Sequence, residues 1–259
     1  MNKKPYLIAP IVFLACAAIL ALAWAIMDPP ALHHFFDQDG YSPFELATLP
    51  FYAAIIPMVW WKCPFTGSKG RRILLCAAIT CVAFMAIVKE MDLHLMALRA
   101  LFPEVVNADG SVYGLVKPNG DPLTGTPFKM RFLTNGGAPF MAKVIVVFYF
   151  SALFGVFAAL LAYFSRKLFK GFFKLHPVAW SVCFLGGSGV MVQLCDRMPA
   201  WVRHAKGLPK EKTIDAISSF FTAFEEGGEM MIAIFALLAI CQAHRMYAKG
   251  NPPPEYADL

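Results

Sequence analysis

Three glutamates interrupt an apolar stretch that runs from Ala223 to Gln242. Glu225 and Glu229 are four residues apart and Glu226 is three residues before Glu229, so a helix would carry all three on one face. A carboxylate at the centre of a membrane helix costs about 2.5–3.5 kcal/mol. Such residues are retained where they bind a cation, exchange protons or pair with basic side chains. The stretch therefore predicts a polar site within an apolar helix bundle.

A second helix face would bring further ligands to this site. Glu90 and His94 are four residues apart, and they share a face if the third apolar segment continues as a helix to His94. Carboxylates with one imidazole suit a hard or borderline divalent ion such as Mg, Mn, Fe or Zn. We therefore predict that these residues bind a metal: Glu90, His94, Glu225 and Glu229, with Glu45 and Asp196 next to them. Glu226 is the predicted proton carrier, and Arg131 is the predicted anion-binding residue of a catalytic site.

Two other roles stay open for the acids. Lys89 adjoins Glu90 and Arg197 adjoins Asp196, so ion pairs would fix helix ends without any chemical function. Proton-exchanging or ion-translocating carboxylates would need no bound metal. The chain lacks the paired Glu-x-x-His motifs of di-iron bundles and the His-Glu-x-x-His motif of zinc proteases. The residue types alone therefore do not choose between a metal, protons and ion pairs.

The composition places these residues in a membrane protein. The chain of 259 residues is 58% hydrophobic and 15% charged, whereas soluble domains have roughly 25% charged residues. Six apolar runs approach the roughly 20 residues that cross the hydrocarbon layer of a bilayer. They are residues 6–27, 44–61, 73–88, 140–164, 177–195 and 220–241. We predict an all-α, polytopic membrane helix bundle with six transmembrane helices in residues 1–250 and a flexible cytoplasmic tail in residues 251–259.

The first apolar run also resembles a cleavable signal peptide, because MNKK precedes it. Its apolar length of about 20 residues exceeds the roughly 7–15 residues that are usual in signal peptides. We therefore predict that this run is a retained span.

Basic residues in short loops predict the orientation, because Lys and Arg favour the cytoplasmic side of a membrane. The loop after the second run carries Lys62, Lys69, Arg71 and Arg72, whereas the connection after the first run carries no Lys or Arg. Both termini are thus predicted to be cytoplasmic, and 15 of the 17 acidic residues fall on the outer side or in the outer halves of spans. The net charge of +6 therefore indicates topology in a bacterial inner membrane, and no nucleic-acid partner is expected.

The acids of different spans fall at similar depths if each helix rises about 1.5 Å per residue. Counted from the predicted cytoplasmic ends, Glu229 lies about 18 Å up, and four acids lie about 24–28 Å up: Glu45, Glu90, Glu225 and Asp196. Gly227 and Gly228 next to the glutamates would let another helix or a ligand approach closely. We predict one acidic chamber just beneath the outer, periplasmic face.

Other motifs point to packing more than to chemistry. The predicted outer loop, at about residues 95–139, is rich in Gly, Pro, Asn and Asp and predicts turns with one hairpin. GGSG at residues 186–189 has no histidine at the depth of Ser188, so it predicts close helix packing and not a serine protease. The seven cysteines form no Cys-x-x-Cys pair and are predicted to pack in apolar surroundings. The six histidines lie at span ends or in loops, which argues against haem ligation.

Three functions are compatible with these features. The first is a membrane enzyme that acts at the outer leaflet on a lipid or lipid-linked substrate, with the outer loop as a lid. The second is a transporter coupled to ions or protons. The third is a noncatalytic scaffold subunit in which the acids form structural salt bridges. The lipid bilayer is the expected partner in each case, and the residues leave catalysis and the oligomeric state open.

Overall fold

Helices make up nearly all of the part of the chain that the computed structural model describes, which is residues 4–37, 42–63, 65, 67–91, 93–103, 105–106, 112–113, 133, 139–205, 207 and 216–247. A short 3-10 turn, Pro5–Leu7, leads into the first helix. The α-helices are α1 (Ile8–Ile26), α2 (Pro29–Phe36), α3 (Pro43–Lys62), α4 (Lys69–Glu90), α5 (Leu93–Leu101), α6 (Phe140–Phe173), α7 (Pro177–Ala205) and α8 (Ala216–Tyr247).

Among the described residues, five helices are long and apolar enough to cross a membrane, as expected for a multi-pass membrane protein. They are Pro5–Ile26, Pro43–Lys62, Lys69–Glu90, Phe140–Phe173 and Pro177–Val202. Each of the six predicted apolar runs lies in a helix, so the all-helical prediction is confirmed. The predicted number of six spans is not confirmed, because α8 is not among the five helices.

The packing separates the chain into two compact units. Unit 1 comprises Met1–Ala83 and Tyr163–Leu259, and unit 2 comprises Phe84–Ala162. Helices α4 and α6 each contribute residues to both units. The prediction of a single membrane domain over residues 1–250 is not tested by this division, and the predicted tail lies outside the described residues.

Helix α8 is the centre of unit 1, where it packs against α1, α2, α3 and α7. Its buried face includes Phe235, Met231 and Ala223, which form one apolar cluster with Phe36 and Leu32 of α2. Because these side chains are almost fully enclosed, this cluster supplies the apolar packing that holds α8 in place.

Contacts along α8 show whether a neighbouring helix runs parallel or antiparallel to it. Trp24 Nε1 of α1 donates a hydrogen bond to the carbonyl of Ala216 at 3.1 Å, whereas Leu20 packs further along α8, at Gly227. Helices α1 and α8 therefore run antiparallel, so α1 begins at the end of unit 1 where α8 ends. Helix α3 runs parallel to α8, because its last residue, Lys62, accepts a 2.7 Å hydrogen bond from Nδ1 of His244 through its carbonyl.

Unit 2 has its own small core. Leu98 of α5 packs with Ala142 and Val146 of α6, and Tyr149 Oη of α6 donates to the carbonyl of Met85 at 3.4 Å. Strands β1 (Val105–Val106) and β2 (Val112–Tyr113) pair antiparallel, with Val105 opposite Tyr113. This pair is the hairpin predicted for the outer loop.

Two predicted helix boundaries are wrong, and one connection contains a helix that was not predicted. Helix α4 ends at Glu90 and α5 begins at Leu93, so the third segment does not continue as one helix to His94; Asp, a favoured N-cap residue, directly precedes α5 in the sequence. The connection after the first span contains α2, which begins with two prolines, residues that are tolerated in a first helical turn. Helix α7 continues through Asp196 to Ala205, ten residues beyond the end of the predicted apolar run at residue 195.

All five tryptophans lie near helix ends. Trp24 lies in the last turn of α1, where its ring contacts Phe220 edge to face at 5.3 Å between centroids. Trp60 and Trp61 lie in the last turn of α3, and Trp180 and Trp201 lie near the two ends of α7. Tryptophan is enriched at the two membrane–water interfaces, so these positions mark where the helices of unit 1 would meet the headgroups.

Candidate functional site

The three glutamates of α8 lie on the part of the helix that packs into unit 1. Glu229 is only 7% exposed, and Glu225 and Glu226 are half-buried. Carboxylate oxygens of Glu226 and Glu229 lie within 4.8 Å of one another. Two acids are therefore held close together in a poorly solvated place, as the three-residue and four-residue spacings predicted.

The glycines between these acids let two neighbouring helices approach α8 closely. A Cβ atom on Gly227 would collide with both methyl groups of Leu20 from α1. A Cβ atom on Gly228 would lie 2.6 Å from Cγ2 of Val192 and 3.1 Å from Cε of Met191, both on α7. The prediction of close helix approach at Gly227 and Gly228 is confirmed, and α1 and α7 are the helices that approach.

Tyr52 of α3 is a site residue that the sequence reasoning missed. Its hydroxyl donates a 2.9 Å hydrogen bond to the backbone carbonyl of Glu229, and both residues are buried. This bond fixes α3 against α8 at the level of the acids. A tyrosine within an apolar run is a usable signal, because a buried hydroxyl needs a hydrogen-bond partner.

Asp196 of α7 lies at the level of Glu225. Val192 of α7 faces Gly228, and Cys195 interacts electrostatically with Glu225, so the next residue, Asp196, lies near the level of the first glutamate. Asp196 accepts a 3.2 Å hydrogen bond from Nε of Arg197, and its side chain is 41% exposed. The geometry thus matches the ion-pair alternative at this position, and a place for Asp196 beside a metal stays a prediction.

Glu45 of α3 has a structural role that accounts for its position. Its carboxylate accepts a 2.7 Å hydrogen bond from the backbone N–H of Ser42, and its own N–H donates to Oγ of Ser42 at 3.0 Å. This reciprocal pair is a capping box, which satisfies the first donors of α3. The Ser-x-x-Glu spacing in SPFE could have identified it from the sequence. A role for Glu45 next to a metal is not needed to explain the residue.

The remaining predicted site residues are Glu90, His94 and Arg131. Glu90 ends α4 in unit 2, where it accepts a 3.3 Å hydrogen bond from Nζ of Lys89, as the ion-pair alternative predicts. The side chain of His94 lies outside the described residues, and so does Arg131. Because α4 ends at Glu90, the helical spacing that joined Glu90 to His94 does not hold. The four-residue metal shell therefore stays a prediction.

The GGSG segment of α7 does not pack closely through its first two glycines. A Cβ atom on Gly186 or Gly187 would meet no other described atom within 4 Å, and one on Gly189 would only touch Ile232 at 3.9 Å. The prediction of close packing is wrong for Gly186 and Gly187, because these glycines face away from the neighbouring helices. Ser188 is the residue that faces inward: it is fully buried, and its Oγ has no hydrogen-bond partner among the described residues.

A second polar cluster lies at the opposite end of α7 and α8. His176 is 5% exposed, its Nε2 is 3.0 Å from the hydroxyl of Tyr247, and its Nδ1 accepts a 3.4 Å hydrogen bond from the N–H of Ala179. Burial lowers the pKa of His176 from 6.5 to about 4, so the imidazole is neutral near pH 7. Ser181 Oγ donates to Oε1 of Gln242 at 2.7 Å between the same two helices. This cluster joins the helix ends and was not predicted.

Two carboxylates at this spacing have a limited chemical repertoire. They either share a proton, accept bonds from cationic side chains, or provide oxygen ligands to a hard divalent ion. In comparisons with protein-family models, curated proteins and solved structures, the chain matches none.

Proposed function

We propose that the chain is a multi-pass protein of a bacterial inner membrane in which α8 is the sixth span and both termini are cytoplasmic. The basic loops support this orientation, because they alternate with connections that carry acids. The antiparallel packing of α1 and α8 supports it as well, because an even number of spans returns the chain to its first side. Helix α8 packs against α1, α2, α3 and α7, which is how a helix with three acids would be accommodated in lipid.

In this proposal the acids of α8 bind a divalent cation near the periplasmic face. One observation carries the proposal: carboxylate oxygens of Glu226 and Glu229 lie within 4.8 Å of one another while Glu229 is 7% exposed. Two unit charges at that distance repel by about 3.5 kcal/mol at an effective dielectric constant of about 20. A bound divalent cation would reverse this repulsion, and it would also compensate for the loss of water around Glu229.

The donor set favours Mg or Mn over softer ions, because carboxylate oxygens are hard ligands. Glu225 is half-buried and lies one helical turn before Glu229, so it is the third candidate ligand. The proposed ligands are thus all carboxylates of α8. An ion here would supply a positive charge that binds and polarises phosphate oxygens.

A lipid or lipid-linked phosphate is the substrate class that we propose for this ion. The start of α8 lies beside Trp24 and Phe220, and such aromatic residues are typical of the headgroup level. Glu225 lies less than three turns from Ala216, the first residue of α8, and is therefore close to that level. A headgroup phosphate would reach a cation at this depth without entering the middle of the bilayer.

Metal analysis of the purified full-length protein tests the cation. We expect about one Mg or Mn ion per chain, and we expect Glu229→Gln and Glu226→Gln each to weaken Mn binding in calorimetric titrations by at least about tenfold. Asp37→Asn is the matched control, because Asp37 is an exposed acid that faces His33 and lies outside the cluster. It should bind Mn as the unchanged protein does.

The result that would end the proposal is a protein that neither retains a divalent ion nor binds Mn, with both glutamine variants behaving like Asp37→Asn. Cation flux in proteoliposomes that disappears in Glu229→Gln would instead support a transporter. The substrate class is tested separately in nanodiscs. Mn binding should be tighter in nanodiscs that contain an anionic phospholipid than in nanodiscs of neutral lipid in which a sulfonate detergent supplies the same negative charge.

A further inference from the structure

Two cysteines that are distant from the acidic cluster form a thiol pair. Cys63 directly follows α3 and Cys76 lies in α4, and their Sγ atoms are 4.0 Å apart. All seven cysteines are free thiols. The sequence analysis assigned the cysteines to apolar packing, but a contact between two sulfur atoms also allows them to react with each other.

The two thiols differ in exposure. Cys76 is 2% exposed, and its Sγ donates a 3.5 Å hydrogen bond to the carbonyl of Val59. Cys63 is half-buried, so an external reagent can reach it while Cys76 stays shielded. An accessible attacking thiol next to a second, resolving thiol is an arrangement that suits thiol–disulfide exchange.

The backbone at Cys63 also favours rearrangement. Its φ is +26°, in the left-handed region that side chains with a Cβ seldom adopt. The residue ends α3 in this conformation, at a place where glycine is common. A small backbone rotation at Cys63 would therefore relieve strain.

Two basic side chains line a cleft beside the cysteine pair. The cleft has a volume of about 230 Å³, and its lining includes Cys63 and Cys76 together with Lys69 and Arg72. Positive charge attracts anionic reagents to the cysteine pair. A disulfide whose sulfur reaches Cys63 at this cleft is therefore expected to be anionic.

We propose that Cys63 and Cys76 are a thiol–disulfide exchange site whose oxidant is an anionic low-molecular-weight disulfide of the glutathione disulfide class. The thiolate of Cys63 attacks one sulfur of the disulfide, whose bond breaks and releases one glutathione thiolate. The thiolate of Cys76 then attacks Cys63 and releases the second glutathione. Two electrons pass from the protein to the oxidant, and the two protons lost by the cysteines are taken up by the glutathione thiolates.

Full-length protein in detergent, reduced and then incubated with glutathione disulfide, tests this site. Peptide mapping after blocking free thiols should show Cys63 linked to Cys76 and the number of free thiols reduced from seven to five. Cys76→Ser should stop at a mixed disulfide of glutathione with Cys63, because the resolving thiol is missing. Cys81→Ser is the matched control in α4, and it should form the same link as the unchanged protein.

The charge of the oxidant gives a second readout. In Arg72→Gln the rate of linkage by glutathione disulfide should fall about tenfold, whereas the rate with the uncharged 2-hydroxyethyl disulfide should not change. The proposal is overturned if Cys63 and Cys76 stay unlinked, or if Cys63 retains glutathione while Cys76 is present. Equal slowing with both oxidants would overturn the part of the proposal that assigns an anionic oxidant.

Discussion

Replacing Gly227 with alanine tests whether α1 and α8 meet as closely as the structure shows. The added Cβ would collide with Leu20, which is 4% exposed and therefore has little room to move. Overfilling of a packed interface costs about 1–3 kcal/mol, and alanine recovers up to about 1 kcal/mol of helix propensity relative to glycine. We therefore expect Gly227→Ala to lower the free energy of unfolding by about 1–2 kcal/mol.

A matched substitution separates this collision from the general effect of alanine. Gly187 is also in the middle of a helix, but its Cβ would meet no described atom within 4 Å. Gly187→Ala should therefore leave the free energy of unfolding unchanged or raise it by up to about 1 kcal/mol. Unfolding of both variants in mixed micelles with increasing SDS, followed by far-ultraviolet circular dichroism, measures the difference.

A double variant identifies the partner of Gly227. Leu20→Ala alone should cost about 2–5 kcal/mol, because it leaves a cavity beside α8. In the Leu20→Ala background the added methyl group at residue 227 has room. The double variant should therefore lose about 1–2 kcal/mol less free energy of unfolding than the sum of the losses in the two single variants. If Gly227→Ala and Gly187→Ala unfold alike, or if the two losses simply add, α1 does not contact α8 in this way.

Two further predictions concern the helix ends. The pKa of His176 is about 4 in the folded protein and 6.5 in the unfolded chain, so the unfolded chain binds a proton first as the pH falls. The free energy of unfolding should therefore be highest above pH 6.5 and decrease by up to about 3 kcal/mol as the pH falls towards 4. His176→Gln should flatten this part of the pH–stability profile, measured by SDS unfolding. A profile of equal slope in both proteins would show that another group titrates. Ser42→Ala removes the capping box with Glu45 and should lower the free energy of unfolding by about 1–2 kcal/mol, whereas Ser68→Ala, at an exposed 3.4 Å contact, should cost much less. Equal losses for the two serine variants would contradict a special role of the Ser42 cap.

The helices of this chain could be predicted because each contains a long apolar run. Their ends were less predictable, since the limit of an apolar run is not the limit of a helix. Helix α6, for example, continues nine residues beyond the predicted end at residue 164 to Phe173, through Arg, Lys and Leu, which are good helix formers. Helix α2 was missed because a short segment with two prolines and two histidines is also typical of a connection.

The lateral order of the helices was beyond sequence reasoning. The bond from Tyr52 to the carbonyl of Glu229 joins residues 177 positions apart, and hydropathy carries no information on which faces meet. The clustering of Glu226 and Glu229 was predictable, because it arises within a single helix. The pairing of Cys63 with Cys76 was not, because it depends on how α3 and α4 pack.

The central position of α8 has a consequence for biosynthesis. Its four partners in unit 1 all precede it in the chain, so a ribosome would deliver them to the bilayer before the helix that joins them. Until α8 is inserted, Leu20, Val192 and Tyr52 would lack the surface that they contact in the finished fold. A nascent chain arrested before Ala216 should therefore remain loosely assembled and be a preferred substrate for membrane proteases.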